Sequence, residues 1–408
     1  MIFIKNKEDC CGCGACYNIC PKEAVRMIED NEGFLYPNIN ENFCINCGLC
    51  EKVCPVIHKG MREDGEEPLA YIIRYNKEEI VKESTSGGGF SAFAIPFLEK
   101  GGIVYGAGYD DKMNVVCKKT TKISGLKEMR GSKFVQSSMG MIYRQIQNEL
   151  KQNKKVLFSG TPCQVAALIG FIGGHPSNLF CVDFVCRGVP SPGLWRNYID
   201  MMEKRFHSKV IGVKFKNKTY GYHATTMRVK FDNGKIYYAS GRIDPYMKAF
   251  VKEMSSRPSC GKCAFKGTKR LSDITLFDCY EFSNITGKKD DDKGYTSLFV
   301  HTEKGKNMLQ QIKNNLICYP EQLERLIDEN GIMVRNSAKP NKKRKEFFEQ
   351  VQNFPIDEAM KKVDAITIKD KMIEKMKIYL YHLGLIQLVK GLRRQHTVEI
   401  VDVDREKE

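Results

Sequence analysis

Between Leu69 and Val185 the apolar positions come in short blocks that switch between a strand period and a helix period. Leu69 to Tyr75, Ile103 to Tyr109, Val115 to Lys119, Lys155 to Ser159 and Leu179 to Val185 read as strands. Phe90 to Glu99, Met139 to Gln152, Val165 to Ile172, Gly193 to Phe206 and Pro245 to Met254 read as helices. Pro192 suits the first turn of its helix, and Pro96 is expected to kink the one it interrupts. Met227 to Phe231 and Lys235 to Ala239, joined by Asp232-Asn233-Gly234, read as a hairpin. Beyond Thr302 the pattern is mostly helical. This strand–turn–helix rhythm predicts an α/β body. Ahead of it, Val25 to Ile28 and Phe34 to Tyr36 flank Asp30-Asn31-Glu32-Gly33 as a short hairpin. Val56 to Pro68 is polar and aperiodic, as a linker would be.

Cysteine spacing adds chemistry to this outline. Cys10-x2-Cys13-x2-Cys16-x3-Cys20-Pro21 is repeated as Cys44-x2-Cys47-x2-Cys50-x3-Cys54-Pro55. In two-cluster ferredoxins three closely spaced thiolates hold one 4Fe–4S cube, and the fourth, before proline, crosses to the other. Cys10, Cys13, Cys16 and Cys54 are therefore expected to hold the first cluster, and Cys44, Cys47, Cys50 and Cys20 the second. Structural zinc fits poorly, because its sites use paired CxxC or CxxC with histidines. Cys11 is extra, packed or pointing outward. The hairpin between the runs is placed to cap the clusters.

The chain has 408 residues and 42% hydrophobic content, enough for a sizeable core and two to four domains. Met1 to Cys10 holds no apolar leader, and no run of about 18 apolar residues occurs. With 17 cysteines, a reducing cytoplasm suits metal thiolates better than disulfides. Net charge is +16 but uneven: residues 1–68 carry seven Lys/Arg against twelve Asp/Glu, whereas residues 69–338 carry 42 against 25. An acidic head on a basic body predicts attraction of anions to the body: nucleotide phosphates, an acidic redox partner or anionic lipid. Nucleic acid is disfavoured, since no module or interleaved aromatics appear.

Other motifs leave alternatives open. Ser84-Thr85-Ser86-Gly87-Gly88-Gly89 precedes a helix, so it is either an anion or flavin-edge site or a flexible N-capping turn. Cys163, Cys186, Cys260 and Cys263 lie outside the head; two end predicted strands and two form a CxxC. Strand ends on one sheet edge cluster in space, so a third 4Fe–4S cluster, a zinc site or inert buried thiols are all compatible. Cys117, Cys181, Cys279 and Cys318 read as core residues, and the histidines show no metal-ligand spacing. Met372 to Arg394 is basic and amphipathic, with Ile373, Met376, Leu380, Leu383, Ile386 and Val389 at helical spacing. A helix packed on the body is the plainer reading, and peripheral membrane contact the alternative.

Five ordered motifs carry a resemblance. They are Ser84-Thr85-Ser86-Gly87-Gly88, Arg130-Gly131-Ser132-Lys133-Phe134, Phe158-Ser159-Gly160-Thr161-Pro162-Cys163-Gln164, Asp183-Phe184-Val185-Cys186-Arg187-Gly188-Val189-Pro190-Ser191-Pro192, and Arg257-Pro258-Ser259-Cys260-Gly261-Lys262-Cys263 continuing to Ser272-Asp273-Ile274-Thr275. In this order, from about Leu69 to Tyr319, the chain resembles the coenzyme F420 hydrogenase/dehydrogenase beta-subunit family, with a two-cluster ferredoxin fused in front. The resemblance implies FAD, lined by Ser84 to Gly89 and by Gly131, Ser132, Lys133 and Phe134. It also implies a third 4Fe–4S cluster on Cys163, Cys186, Cys260 and Cys263. It implies two-electron exchange with a deazaflavin or a related organic substrate, as in 7-hydroxymethyl chlorophyll a reductase. Where the family usually has Cys-His-Gly, Cys186-Arg187-Gly188 stands, and Phe277-Asp278-Cys279-Tyr280-Glu281 replaces Gly-Asp-Phe-Trp-Gly. Some bacterial relatives with a fused ferredoxin are associated with surface-polysaccharide synthesis.

The expected architecture is a ferredoxin-like domain at 1–56, a linker at 57–68, a flavin-binding region at 69–154, a region with the third cluster at 155–320 and a helical basic tail at 321–408. The expected activity is that of a cytoplasmic iron–sulfur flavoprotein oxidoreductase. It would pass electrons between ferredoxin or another redox protein and a small two-electron substrate, with Lys133 and Arg187 holding flavin or substrate anions. Two alternatives stand beside it: an electron-transfer subunit of a larger complex without its own substrate, and a structural or regulatory iron–sulfur protein without flavin.

Overall fold

The computed structural model describes residues 1–58 and 66–385. The chain folds as a mixed α/β protein with a ferredoxin-like head. In the head, β1 (Val25–Glu29) and β2 (Leu35–Ile39) pair antiparallel around the Asp30–Gly33 turn. Asp30 sets that turn by accepting from the amides of Glu32 and Phe34. The body strands are β3 (Leu69–Tyr75), β4 (Ile103–Tyr109), β5 (Val115–Thr120), β6 (Val156–Ser159), β7 (Leu179–Phe184), β8 (Val210–Asn217), β9 (Thr226–Phe231), β10 (Ile236–Ser240), β11 (Ile274–Cys279), β12 (Tyr295–Val300) and β13 (Leu316–Glu321).

Eight of them form one sheet in the order β13-β3-β12-β11-β7-β6-β4-β5. Its centre, β11-β7-β6-β4, is parallel, and antiparallel pairs complete both flanks. Parallel strands buried on both faces read as unbroken apolar runs, which is how Val156 to Phe158 and Leu179 to Val182 read. Successive residues serve opposite faces. Val104, Leu157 and Phe180 pack with the helix Gly89–Glu99, while Tyr105, Phe158 and Cys181 pack with the helices Ile142–Lys151 and Pro162–Ile172. The antiparallel trio β10-β9-β8 packs with the helices Pro192–Phe206 and Ile356–Asp364 around Trp195, whose indole donates to the Met113 carbonyl at 2.7 Å.

The region beyond Thr302 is not wholly helical. β13 lies there and pairs antiparallel with β3 at the sheet edge. Pro320 sits within it, as an edge position permits. The basic amphipathic stretch forms a helix over Ile368–His382, with Glu374 buried and bonded to Ser240. Ile386, Val389 and the rest of that stretch lie outside the described residues, as does part of the expected linker.

The head is fastened to the body at many points. Asn18 donates to the Gly140 carbonyl at 2.7 Å, Arg144 to the Cys20 carbonyl at 2.8 Å, and Tyr143 to the Cys13 carbonyl at 3.1 Å. Arg344, from the basic cluster at 342–345, forks onto both oxygens of Glu32. The hairpin turn meets the entrance of helix Pro192–Phe206 so closely that a Cβ on Gly33 would lie 2.5 Å from the Gly193 Cα. Gly33 is also at φ +81°, where a side chain is strained.

Candidate functional site

Three small cavities are each lined by four of the expected thiols. Cys10, Cys13, Cys16 and Cys54 line the first, with Ile2, Ile4 and Met27 around them. Cys20, Cys44, Cys47 and Cys50 line the second, with Met1, Val25 and Ile39. Cys163, Cys186, Cys260 and Cys263 line the third, in the body. The fold gathers this last set from three places. Cys163 opens the helix Pro162–Ile172 after β6, Cys186 follows β7, Cys260 lies in the 3-10 turn Pro258–Lys262, and Cys263 ends that turn. β6 and β7 are parallel neighbours, so their carboxyl ends meet on one edge, as the strand-end argument requires.

The surroundings of these sulfurs suit a cationic cluster. Main-chain amides donate to Cys10 Sγ from Gly12 at 3.4 Å, to Cys20 Sγ from Ala24 at 3.3 Å, to Cys50 Sγ from Ile2 at 3.2 Å and to Cys186 Sγ from Gly188 at 3.4 Å. Such bonds favour a charged sulfur. Burial, reinforced by the neighbouring thiols Cys10 and Cys54, pushes Cys16 up to about 12. Burial and Cys163 push Cys186 up to about 12. A set of buried thiols that repel one another as anions calls for bound positive charge. Among the described residues no three His, Cys, Asp or Glu side chains converge closely enough to hold a single ion. Four thiolates on one zinc ion would lie about 3.8 Å apart, given Zn–S bonds near 2.3 Å.

Cys11 is buried, and it lines both the first and the third cavity. Its thiol lies beside those of Cys13 and Cys163, one thiol from each expected cluster set. Cys181 and Cys279 are core residues as expected, whereas Cys117 is half-buried and lines the large cavity described next.

That cavity, of about 1210 Å³, opens at the carboxyl ends of the parallel strands. Ser84, Thr85, Ser86, Gly88, Gly89, Gly131, Ser132, Lys133, Phe134 and Arg187 line it. Gly87 does not; its amide donates to Thr296 Oγ1 at 2.9 Å and it packs against the β3 and β12 backbone. The two expected flavin loops are tied together, because the Ser132 amide donates to Thr85 Oγ1 at 2.8 Å. Lys218 braces the first loop by donating to the Ser86 carbonyl at 2.6 Å, and burial lowers its amine to about 7. Lys133 is half-buried, donates to the Glu128 and Arg130 carbonyls, and is likewise lowered to about 7 by burial. Arg187 is already paired, donating from Nε to Glu253 at 2.6 Å.

Sequence reasoning passed over a second group on this wall. Lys216 bonds to Asp278 and donates to the Tyr280 hydroxyl at 2.6 Å. Burial opposes its charge, but Asp278 and Tyr280 outweigh that and hold the amine above its ordinary value. The clue was the alternation of apolar and basic residues in Val210–Asn217. The far wall is closed by Ile373, Met376, Lys377 and Leu380 of the helix Ile368–His382.

Residues 153–325 match the family described as the C-terminal part of the coenzyme F420 hydrogenase/dehydrogenase beta chain. This stretch is similar to that family. The motifs quoted for the family after residue 153 fall inside it, and the first two precede it. Residues 9–57 match the 4Fe-4S dicluster domain. No curated protein matches the chain. Among solved structures, a chain of the F420-reducing NiFe hydrogenase complex from Methanosarcina barkeri, studied by xenon derivatization, aligns at 18% identity. The alignment covers 76% of this chain and 97% of that one, with a TM-score of 0.43. The protein is thus an iron–sulfur electron-transfer protein, part of which is related to the beta subunit of a hydrogenase/dehydrogenase. Among the described residues no helix is long and apolar enough to cross a membrane.

Proposed function

We propose that the chain is an iron–sulfur flavoprotein that passes electrons between a one-electron carrier protein and a two-electron organic substrate. Two 4Fe–4S clusters sit in the head on the eight thiols assigned above. A third sits on Cys163, Cys186, Cys260 and Cys263, and FAD lies in the large cavity against Ser84, Thr85, Ser86, Gly88 and Gly89 and against Gly131–Phe134. The flavin supplies two-electron chemistry; the protein supplies position and charge. The substrate is a deazaflavin or another planar organic anion, drawn by the basic wall. One observation carries this reading. The cavities adjoin in series: Cys16, Cys54, Cys20 and Cys50 share one core cluster, Cys11 lines both the first and the third cavity, and Cys186 and Gly188 line both the third and the large one. A series of metal sites ending at a cofactor-sized chamber suits one-electron relay into two-electron chemistry.

The second cluster faces outward. Cys47 is exposed, and so are Phe43 and Ile45 beside it, which suits contact with a redox protein. The same feature supports a second reading, an electron-transfer subunit whose substrate chemistry lies elsewhere. Anaerobic purification with iron, sulfide and flavin measured per chain is the test. About twelve irons and one flavin are expected. Eight irons would remove the third cluster, and absence of flavin would leave only the second reading.

A further inference from the structure

Arg257 is 1% exposed, yet among the described residues no carboxylate pairs with it. The other buried arginines, Arg74 and Arg270, are partnered by Asp291 at 2.7 Å and Asp183 at 3.4 Å. Arg257 donates instead from Nε to the Cys10 carbonyl at 2.7 Å, from Nη1 to Gln136 Oε1 at 3.1 Å, and from Nη2 to the Leu35 carbonyl at 2.9 Å. The same Nη2 lies 3.6 Å from Cys10 Sγ. Its guanidinium stacks over Tyr36, 4.1 Å from the ring centroid. These are neutral partners, and a buried charge with none but neutral partners is costly. The position is built for it, because a Cβ on Gly12 would fall 2.6 Å from Nη1. The Arg257 main chain, for its part, belongs to the body cluster: its carbonyl accepts from the Cys260 amide at 2.9 Å.

We propose that Arg257 is the counter-charge of the first head cluster and raises its potential, favouring the first cluster as the head's exit to the body. This rests on the cluster assignment under Proposed function. Four thiolates give the cube a net negative charge that grows by one with the electron it accepts. A fixed cation beside one of them therefore favours the reduced form. Arg257 lies beside Cys10, whereas the second set has a cation of its own, Arg144, on the Cys20 carbonyl. Cys11, which lines both cavities, places the first next to the third, so the electron held there has the short route onward. One electron leaves the first cluster and one enters the third; no bond forms or breaks.

The test is an EPR-monitored redox titration of the full chain, reconstituted without oxygen, with iron counted on each sample. Cys47→Ser marks which head signal belongs to the second cluster. Arg257→Gln is expected to move the first cluster's midpoint negative and leave the second unmoved, while Arg257→Lys restores it. Gln136→Glu, which sets a carboxylate beside the intact guanidinium, is expected to move it the same way even if Arg257→Gln does not load iron. Unmoved midpoints in both charge variants at full iron, or equal movement of all clusters, would overturn the proposal. So would loss of the first cluster from Arg257→Lys as well as Arg257→Gln, which would make Arg257 a strap and not a charge. Too little iron in the unaltered protein would overturn the cluster assignment instead.

Discussion

The head draws its eight thiols from two runs that begin at Cys10 and end at Cys54, whereas the large cavity draws its wall from residues as distant as Ser84 and Leu380. In the head, spacing along the chain fixes spacing in space, and each sulfur has one task. In the cavity, the sheet does the gathering. Strand ends of β6, β7 and β11 deliver side chains that have no sequence relation to one another, and a helix near the end of the described chain closes the far side. The third thiol set stands between these cases, with one CxxC and two cysteines brought in by parallel strands. The lesson is that the two regions fail differently. Removing a head residue should empty one cluster, while removing a cavity residue should change affinity by degrees.

The sharpest separation is expected from Cys186→Ser. Iron should fall from about twelve to about eight per chain with the head spectrum intact. Reduction of the flavin through the head should stop, as stopped-flow absorbance would record. Loss of head iron in that variant would mean that the three sites load as a unit. Next comes Gly12→Ala. Its φ of +65° costs a side chain about 1–2 kcal/mol, and contact with Arg257 adds to that. The expected result is a lower unfolding midpoint for the loaded protein, with cavity affinity for flavin little altered.

A graded effect is expected at Lys133. Burial lowers its amine to about 7, so the cation is present below that pH and fades above it. FAD affinity, followed by fluorescence quenching, should fall as pH rises from about 6 to 8, by at most about tenfold per unit. Lys133→Met should bind more weakly at low pH and lose that slope. The sign for folding is opposite. Between about 7 and the ordinary lysine value of 10.5 the folded state binds fewer protons, so this residue adds stability as pH rises through that window. A flat affinity profile in the unaltered protein would remove Lys133 from the anion site. The smallest change is expected from Arg187→Ala. Glu253 already neutralises that guanidinium at the surface, so FAD affinity should move by no more than about threefold.

The ferredoxin head could be read directly because iron–sulfur ligation is written in short intervals, and most body strands could be read because buried parallel strands are dense in branched apolar residues. What escaped has physical reasons. β13 contains Pro320 and only one buried residue, Leu316, so it lacks the apolar block of a central strand. β8 mixes Gly212 and three lysine or asparagine positions into its alternation, which hid both the strand and Lys216. Gly87 was read as part of the flavin loop from its neighbours, yet it serves close packing against β3 and β12. Arg257 appeared only as a letter in a motif, since nothing local tells a surface arginine from one enclosed between the head and the body. Cys11 was set aside as surplus because its partners, Cys13 and Cys163, are joined only by the fold.

The clamp of the head hairpin on the body has a kinetic consequence. With Gly33 against Gly193, Glu32 forked by Arg344 and Asn18 bonded to Gly140, the head is a soldered terminal and not a swinging arm. Internal electron passage should then keep its pace in glycerol or sucrose, where a carrier that had to travel would slow with the solvent's viscosity.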